Sequence, residues 1–101
     1  MNSKTVVLDS SDSYHRVYLV KVHTGYKLCY TRKQDVANNT AVLTIPAGHR
    51  PTSTKYAHAV CVHSSGKVGI GKLTVHTDGR CVLGALNYNE SLRGGPFYVE
   101  W

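Results

Sequence analysis

A saccharide is held by an aromatic ring against its C–H face and by amide, guanidinium or imidazole groups on its hydroxyls. That mixture occurs at Asn87, Tyr88, Asn89 and Arg93. It occurs again at Tyr56 and His58, which alternation places on one face of one strand. Tyr98 and Trp101 near the end of the chain offer further rings, although Trp101 and Phe97 are read first as residues that fill a core or a subunit interface. In a plain solvated loop the same polar residues would do nothing, so they mark a candidate saccharide site and no more.

Other chemistries find less material. Six histidines raise the question of a metal. Cys61 and His63 share a strand face, and His76 lies where a hairpin could bring it near, so these three are the weak candidates for zinc ligands. No C-x-x-C or H-x-x-x-H pair supports them, and strand-end histidines read more simply as half-exposed rim residues; neither metal nor cofactor is expected. Three cysteines, Cys29, Cys61 and Cys81, leave at least one thiol unpaired within a chain. Each falls in a β pattern where a free cysteine acts as a small buried hydrophobe, which suits a reducing compartment. Of the six acids, Asp78 belongs to a turn and Asp9, Asp12 and Asp35 to polar stretches, so only Glu90 and Glu100 remain for paired-carboxylate chemistry. No G-x-S-x-G elbow or Cys/His signature organises a nucleophile. The chain is read as a non-enzyme.

The elements that would position the candidates are strands. Val17 and Leu19 point one way and Tyr18, Val20 and Val22 the other, so this strand could be covered on both faces. Gly25 turns it into Tyr26–Thr31. Residues 31–40, rich in turn formers, read as an exposed loop. Tyr56–His63 alternates a small face of Ala57, Ala59 and Cys61 with a larger one. Between Lys67 and His76 the alternation slips around Gly69 and Gly71, which predicts a β-bulge or a break. Asp78-Gly79 is the strongest turn signal. The next strand, Arg80–Tyr88, would present Val82, Leu86 and Tyr88 on one face; residues 89–96 read as a loop; Phe97, Val99 and Trp101 finish the last strand. The start is predicted as a strand, Lys4–Leu8, with a frayed beginning and a polar break after it. Seven or eight short strands with no long helix predict an all-β antiparallel sandwich or barrel, jelly-roll-like.

The chain's 101 residues make one domain with one core. No apolar run approaches the ~18 residues of a membrane helix, and the N-terminus lacks an apolar signal core, so no membrane insertion or export signal is expected. A net charge of +6 suits anionic partners, either nucleic acid or acidic cell-surface polymers. The cations are scattered, with no run longer than Arg32-Lys33, so no phosphate-tracking stripe is visible and nucleic acid is the less favoured partner.

One stretch organises the rest. Leu43 and Ile45 end a half-buried strand, Pro46 stops it, Gly48 gives a turn, and Pro51 stiffens the exit toward Tyr56. The string Ile45-Pro46-Ala47-Gly48-His49-Arg50-Pro51 resembles the LP-x-G-[aromatic]-RP elbow of receptor-binding head domains of bacteriophage tail fibres. Val17–Val22 with Tyr26–Tyr30 before it, the Leu73–Val82 hairpin after it and the closing Phe97–Trp101 strand are similar to that family in order, so the resemblance covers residues from about Tyr14 onward. His49 departs from the usual aromatic. The resemblance implies an N-terminal segment of residues 1–13 and a head domain of residues 14–101. It further implies a homotrimer joined to the rest of the tail fibre or baseplate. Such a head is assembled in the host cytoplasm and carried at the virion tail tip, where it binds host cell-wall or surface polysaccharide, including teichoic acid, without catalysis. The rival readings are an OB-like β-barrel binding single-stranded nucleic acid and a trimerisation cap with no ligand.

Overall fold

The computed structural model describes residues 4–101; Met1, Asn2 and Ser3, part of the expected frayed start, lie outside the described residues. Eight strands follow one another: β1 Thr5–Ser11, β2 His15–Val22, β3 Gly25–Val36, β4 Thr40–Thr44, β5 Lys55–His63, β6 Val68–Val75, β7 Arg80–Ala85 and β8 Leu92–Glu100. No helix occurs among the described residues, so the all-β expectation holds. The strands form one antiparallel sheet in the order β1-β2-β3-β8-β5-β6-β7-β4, curled into a half-barrel that is open between β1 and β4. The molecule measures 46 × 25 × 20 Å.

The last strand makes this topology possible. Hairpins join β1-β2-β3 on one side and β5-β6-β7 on the other, and β8 enters between them. It pairs Leu28 with Val99 and Tyr30 with Phe97 on β3, and Cys61 with Gly94 and His63 with Leu92 on β5. The register with β3 shifts between Tyr30 and Arg32, opposite Gly94 and Gly95, whose φ angles are +148° and +127°. Residues 89–96, expected as a loop, are therefore a short loop followed by a bulged strand. Residues 31–40 are corrected likewise. β3 runs on to Val36 because Arg32 and Val36 find partners on β8 and Arg32 also pairs with His15 on β2. Polar composition marked solvent exposure there, not the end of pairing. β1 is also longer than expected, since the pairing of Ser10 with Val17 and Ser11 with Arg16 carries it through the polar break.

The concave face holds the core: Leu19, Leu28, Tyr30, Ile45, Leu73, Leu83, Leu92 and Phe97 have no or almost no exposed surface. Each such side chain contributes about 1.5–3 kcal/mol by leaving water. On β7 the core face is Cys81 and Leu83, so Val82 and Leu86 stand on the outer one, while Tyr88, expected on the same face, lies beyond β7 with its ring against His63. β6 overturns the predicted bulge. It pairs without interruption to β5 from Lys55↔Val75 to Val62↔Val68, and its inward positions are Gly69, Gly71, Leu73 and Val75. Glycine faces the core there because the space is already filled. A Cβ on Gly71 would sit 2.5 Å from Cys61 Sγ and 3.1 Å from Phe97 Cζ. The apparent slip is a core face that omits two side chains.

Two turns require glycine. Gly79, at φ +91°, closes the β6–β7 hairpin while Asp78 Oδ1 accepts the Arg80 N–H at 3.0 Å. Gly25, at φ +143°, lies so close to the Trp101 carbonyl oxygen that any Cβ would clash with it. That contact matters below, because Tyr26 and Trp101 pair through both backbone bonds, at 2.7 and 3.2 Å.

Candidate functional site

The half-barrel has two ends. The β2–β3 turn, the elbow after β4, the β6–β7 turn and Trp101 gather at one. The β1–β2, β3–β4 and β5–β6 turns and the β7–β8 loop gather at the other. The six candidate saccharide residues are divided between them.

Four belong to the far end, where Asn87, Asn89 and Arg93 each have one polar atom engaged in an internal contact. Asn87 Oδ1 accepts the Ile70 N–H at 2.7 Å, replacing a ladder bond where β7 stops. Asn89 Oδ1 accepts from Asn38 Nδ2 at 2.9 Å, and Asn38 Oδ1 in turn accepts the Ala85 N–H. Arg93 donates to Asp35 at 2.7 Å across β8 and β3. Tyr88 lies edge-on to His63, with ring centres 5.0 Å apart, and carries Lys67 Nζ 4.8 Å above its ring. Glu90 is held below the usual carboxylate range by the Ser65 hydroxyl, 2.5 Å away, aided by the nearby Lys67. This end is a knit of internal contacts between loops.

His63 corrects the rim expectation. It is 1% exposed, and neither ring nitrogen has a hydrogen-bond partner among the described residues. Its ring packs as an aromatic in space left by Gly69, whose Cβ would meet Nε2 at 2.7 Å. The three weak metal candidates do not converge. Cys61 and His63 face inward, whereas His76 stands beyond the opposite end of β6 in a groove of the outer face. The cysteines are all free. Burial pushes the Cys81 thiol up to about 12 and raises that of Cys61.

Tyr56 and His58 stand on the outer face of β5, toward the elbow end. Their rings meet edge to face at 5.5 Å, and Lys72 Nζ lies 5.0 Å from the Tyr56 ring centre. Lys72 also borders an outer groove of about 340 Å³ shared with Asn39, Thr74, His76 and Leu86. This face exposes Val60 and Leu86 by more than half.

The elbow end brings together residues that are far apart in sequence. Ile45 is buried, Pro46 leaves the sheet, Gly48 takes φ +91°, and Pro51 is buried again. The chain between them folds back onto the end of β8. His49 Nδ1 sits 3.0 Å from the Tyr26 hydroxyl, and the His49 carbonyl accepts the Trp101 indole N–H at 3.0 Å. Tyr26 and Trp101 stack at 5.6 Å with planes 23° apart. The departure from an aromatic at position 49 thus adds a polar clamp, and its ring still meets Tyr26 edge-on. Arg50 Nε donates to the Ile45 carbonyl at 2.8 Å, which fixes the guanidinium beside Gly79.

A hollow lies on each side of this aromatic pair. One, of about 320 Å³, is lined by Thr24, Tyr26, Arg50, Thr52, Lys55 and Trp101. The other, of about 190 Å³, is bordered by Val22, Thr24, Tyr26, Lys27, Glu100 and Trp101. Rings and cations meet here: the elbow holds the Tyr26 hydroxyl, the Trp101 indole N–H and Arg50 Nε, while the Arg50 terminal nitrogens and Lys55 Nζ make no hydrogen bond among the described residues. Trp101 was legible as a possible platform. Tyr26, Arg50 and Lys55 were not, since only the β3–β8 pairing and the elbow unite them. The sequence matches no family model, and no curated protein and no solved structure matches it.

Proposed function

We propose that this chain is a non-catalytic receptor-binding head that attaches a phage tail to a bacterial surface glycan, acting as a homotrimer at the virion tail tip. The observation that carries the reading is the Tyr26–Trp101 stack, half-buried at the rim and clamped by His49 between two hollows. Such a platform presents aromatic surface to sugar C–H groups at little entropic cost, because its rings are already fixed. The resemblance of the elbow and the Leu73–Val82 hairpin to tail-fibre heads supports the same function. Trimeric assembly would cover part of the outer face, where Val60 and Leu86 are 59% and 55% exposed, and would repeat a weak site three times.

The test is binding of purified protein to whole bacteria and a glycan array, with light scattering for mass. Expected are glycan binding lost in Trp101→Ala and a mass near three times 11.1 kDa. A stable monomer that binds no glycan would sink the proposal. The nucleic-acid reading draws on Tyr18, Tyr56 and Tyr88, each with a cation within 5.7 Å of its ring centre. Oligonucleotide binding that falls steeply with salt would favour it. A trimer that binds neither class of ligand would be a structural cap.

A further inference from the structure

None of the side-chain carboxylates lines the elbow end's larger hollow, and each is engaged elsewhere. Asp9 pairs with Arg16 at 2.8 Å, Asp35 with Arg93 at 2.7 Å and Asp78 with Arg80 at 2.9 Å. Glu100 faces Lys27 at 3.9 Å. Asp12 Oδ1 accepts the N–H groups of Tyr14 and His15, and Glu90 accepts the Ser65 hydroxyl. Those are the six acids of the sequence. Arg50 and Lys55 line one cavity, and among the described residues neither makes an ion pair.

The two cations differ in preparation. Arg50 is immobilised, with Nε given to the Ile45 carbonyl and the side chain resting on Gly79. Its terminal nitrogens make no hydrogen bond among the described residues, so the fork can meet two oxygens of one anion. Lys55 opens β5, where its backbone is registered against Val75, and adds a point charge to the same hollow. On the other side of the Tyr26–Trp101 pair the charge is balanced, because Lys27 and Glu100 face each other across β3 and β8. The site is therefore asymmetric: cationic, then aromatic, then neutral.

From this juxtaposition we infer that the elbow-end cleft binds an acidic saccharide or polyol chain, with the anionic group of one unit between Arg50 and Lys55 and the neighbouring neutral unit across Tyr26 and Trp101. The inference rests on the glycan-binding reading above and adds the ligand's charge and direction. The shared chemistry is a singly bridging anion, which a phosphodiester or a uronate carboxylate both supply.

Three probes separate the possibilities in titrations at low salt: poly(glycerol phosphate), polygalacturonate and neutral dextran. The wild-type protein should bind one of the two anionic polymers at least ~10-fold more tightly than dextran, since a charge-assisted hydrogen bond is worth about that factor or more. Lys55→Gln and Arg50→Gln should each weaken that binding ~10-fold and leave dextran binding unchanged. Lys21→Gln/Lys67→Gln, which removes two exposed charges elsewhere, should lose no more than the general attraction of a protein of net charge +6. Lys55→Gln carries the test if loss of the Arg50–Ile45 bond unfolds the elbow. Dextran bound as well as the anionic polymers, or equal losses in the cleft and control variants, overturns the inference while the glycan-binding head stands. Failure of all three probes to bind overturns both.

Discussion

Gly71→Ala tests the packing on which the half-barrel depends. The added methyl would lie 2.5 Å from Cys61 Sγ, 3.1 Å from Phe97 Cζ and 3.3 Å from Leu92 Cδ1. Ordinary contact needs ~3.5–4.0 Å, so the sulfur must retreat by about 1 Å and the ring by about half that. All three neighbours are fully buried, which leaves them nowhere to go. Overpacking of this kind costs ~1–3 kcal/mol. Against it stands the ~0.4–1 kcal/mol that alanine contributes by restricting the unfolded chain. At mid-range values of ~2 and ~0.7 kcal/mol the packing term wins, with an expected net loss of about 1.3 kcal/mol. At ~4–8 °C per kcal/mol for a domain of this size, the thermal midpoint should fall by roughly 5–10 °C. Urea denaturation of wild type, Gly71→Ala, Cys61→Ala and the double variant would measure it. Cys61→Ala removes the closest obstacle, so the double variant should be more stable than the sum of the singles by ~0.5–3 kcal/mol. A single variant as stable as wild type, or strictly additive effects, would refute the reasoning.

Two further outcomes follow from burial. In the native protein a thiol reagent at pH 8 should modify Cys29, the half-exposed thiol, while Cys61 and Cys81 react only after unfolding; three fast native equivalents would contradict the assigned core. Burial raises the pKa values of Cys81, Cys61 and Tyr30 in the folded state, so at alkaline pH the unfolded chain binds fewer protons than the native one. The stability contributed by these neutral groups is whole below the unfolded thiol value near ~8.5 and is lost as pH climbs toward about 12. The urea midpoint should therefore drop from pH 8 to pH 10, less so in Cys81→Ala, and an unchanged midpoint would count against it.

The local pattern was enough to specify strands, because alternation and turn chemistry act over a few residues. Leu43–Ile45 before Pro46, the Asp78-Gly79 hairpin and the shared face of Val17 and Leu19 were all legible in that way. Polarity misled where pairing was decided at a distance. Residues 31–36 and 92–96 look like loops, yet they complete β3 and β8, which find each other across more than half the chain. The glycine face of β6 is the same lesson in packing: Gly69 and Gly71 read as interruptions because the side chains that fill their space, His63, Cys61 and Phe97, lie on other strands.

The candidate site divides along that line. Alternation and turn spacing predicted an all-β chain, composition gave its surplus positive charge, and Trp101 stood as a ring for a core, an interface or a sugar. Whether a ring is core or platform depends on what stands beside it, and nothing near Trp101 in sequence says so. Only the tertiary structure sets Tyr26 against its face, His49 over its indole nitrogen, and Arg50 and Lys55 in the hollow beside it. It also gives Asn87, Asn89 and Arg93 an internal partner each. The physical reason is that a residue's type sets what it can bond, while its neighbours determine which of those bonds remain free.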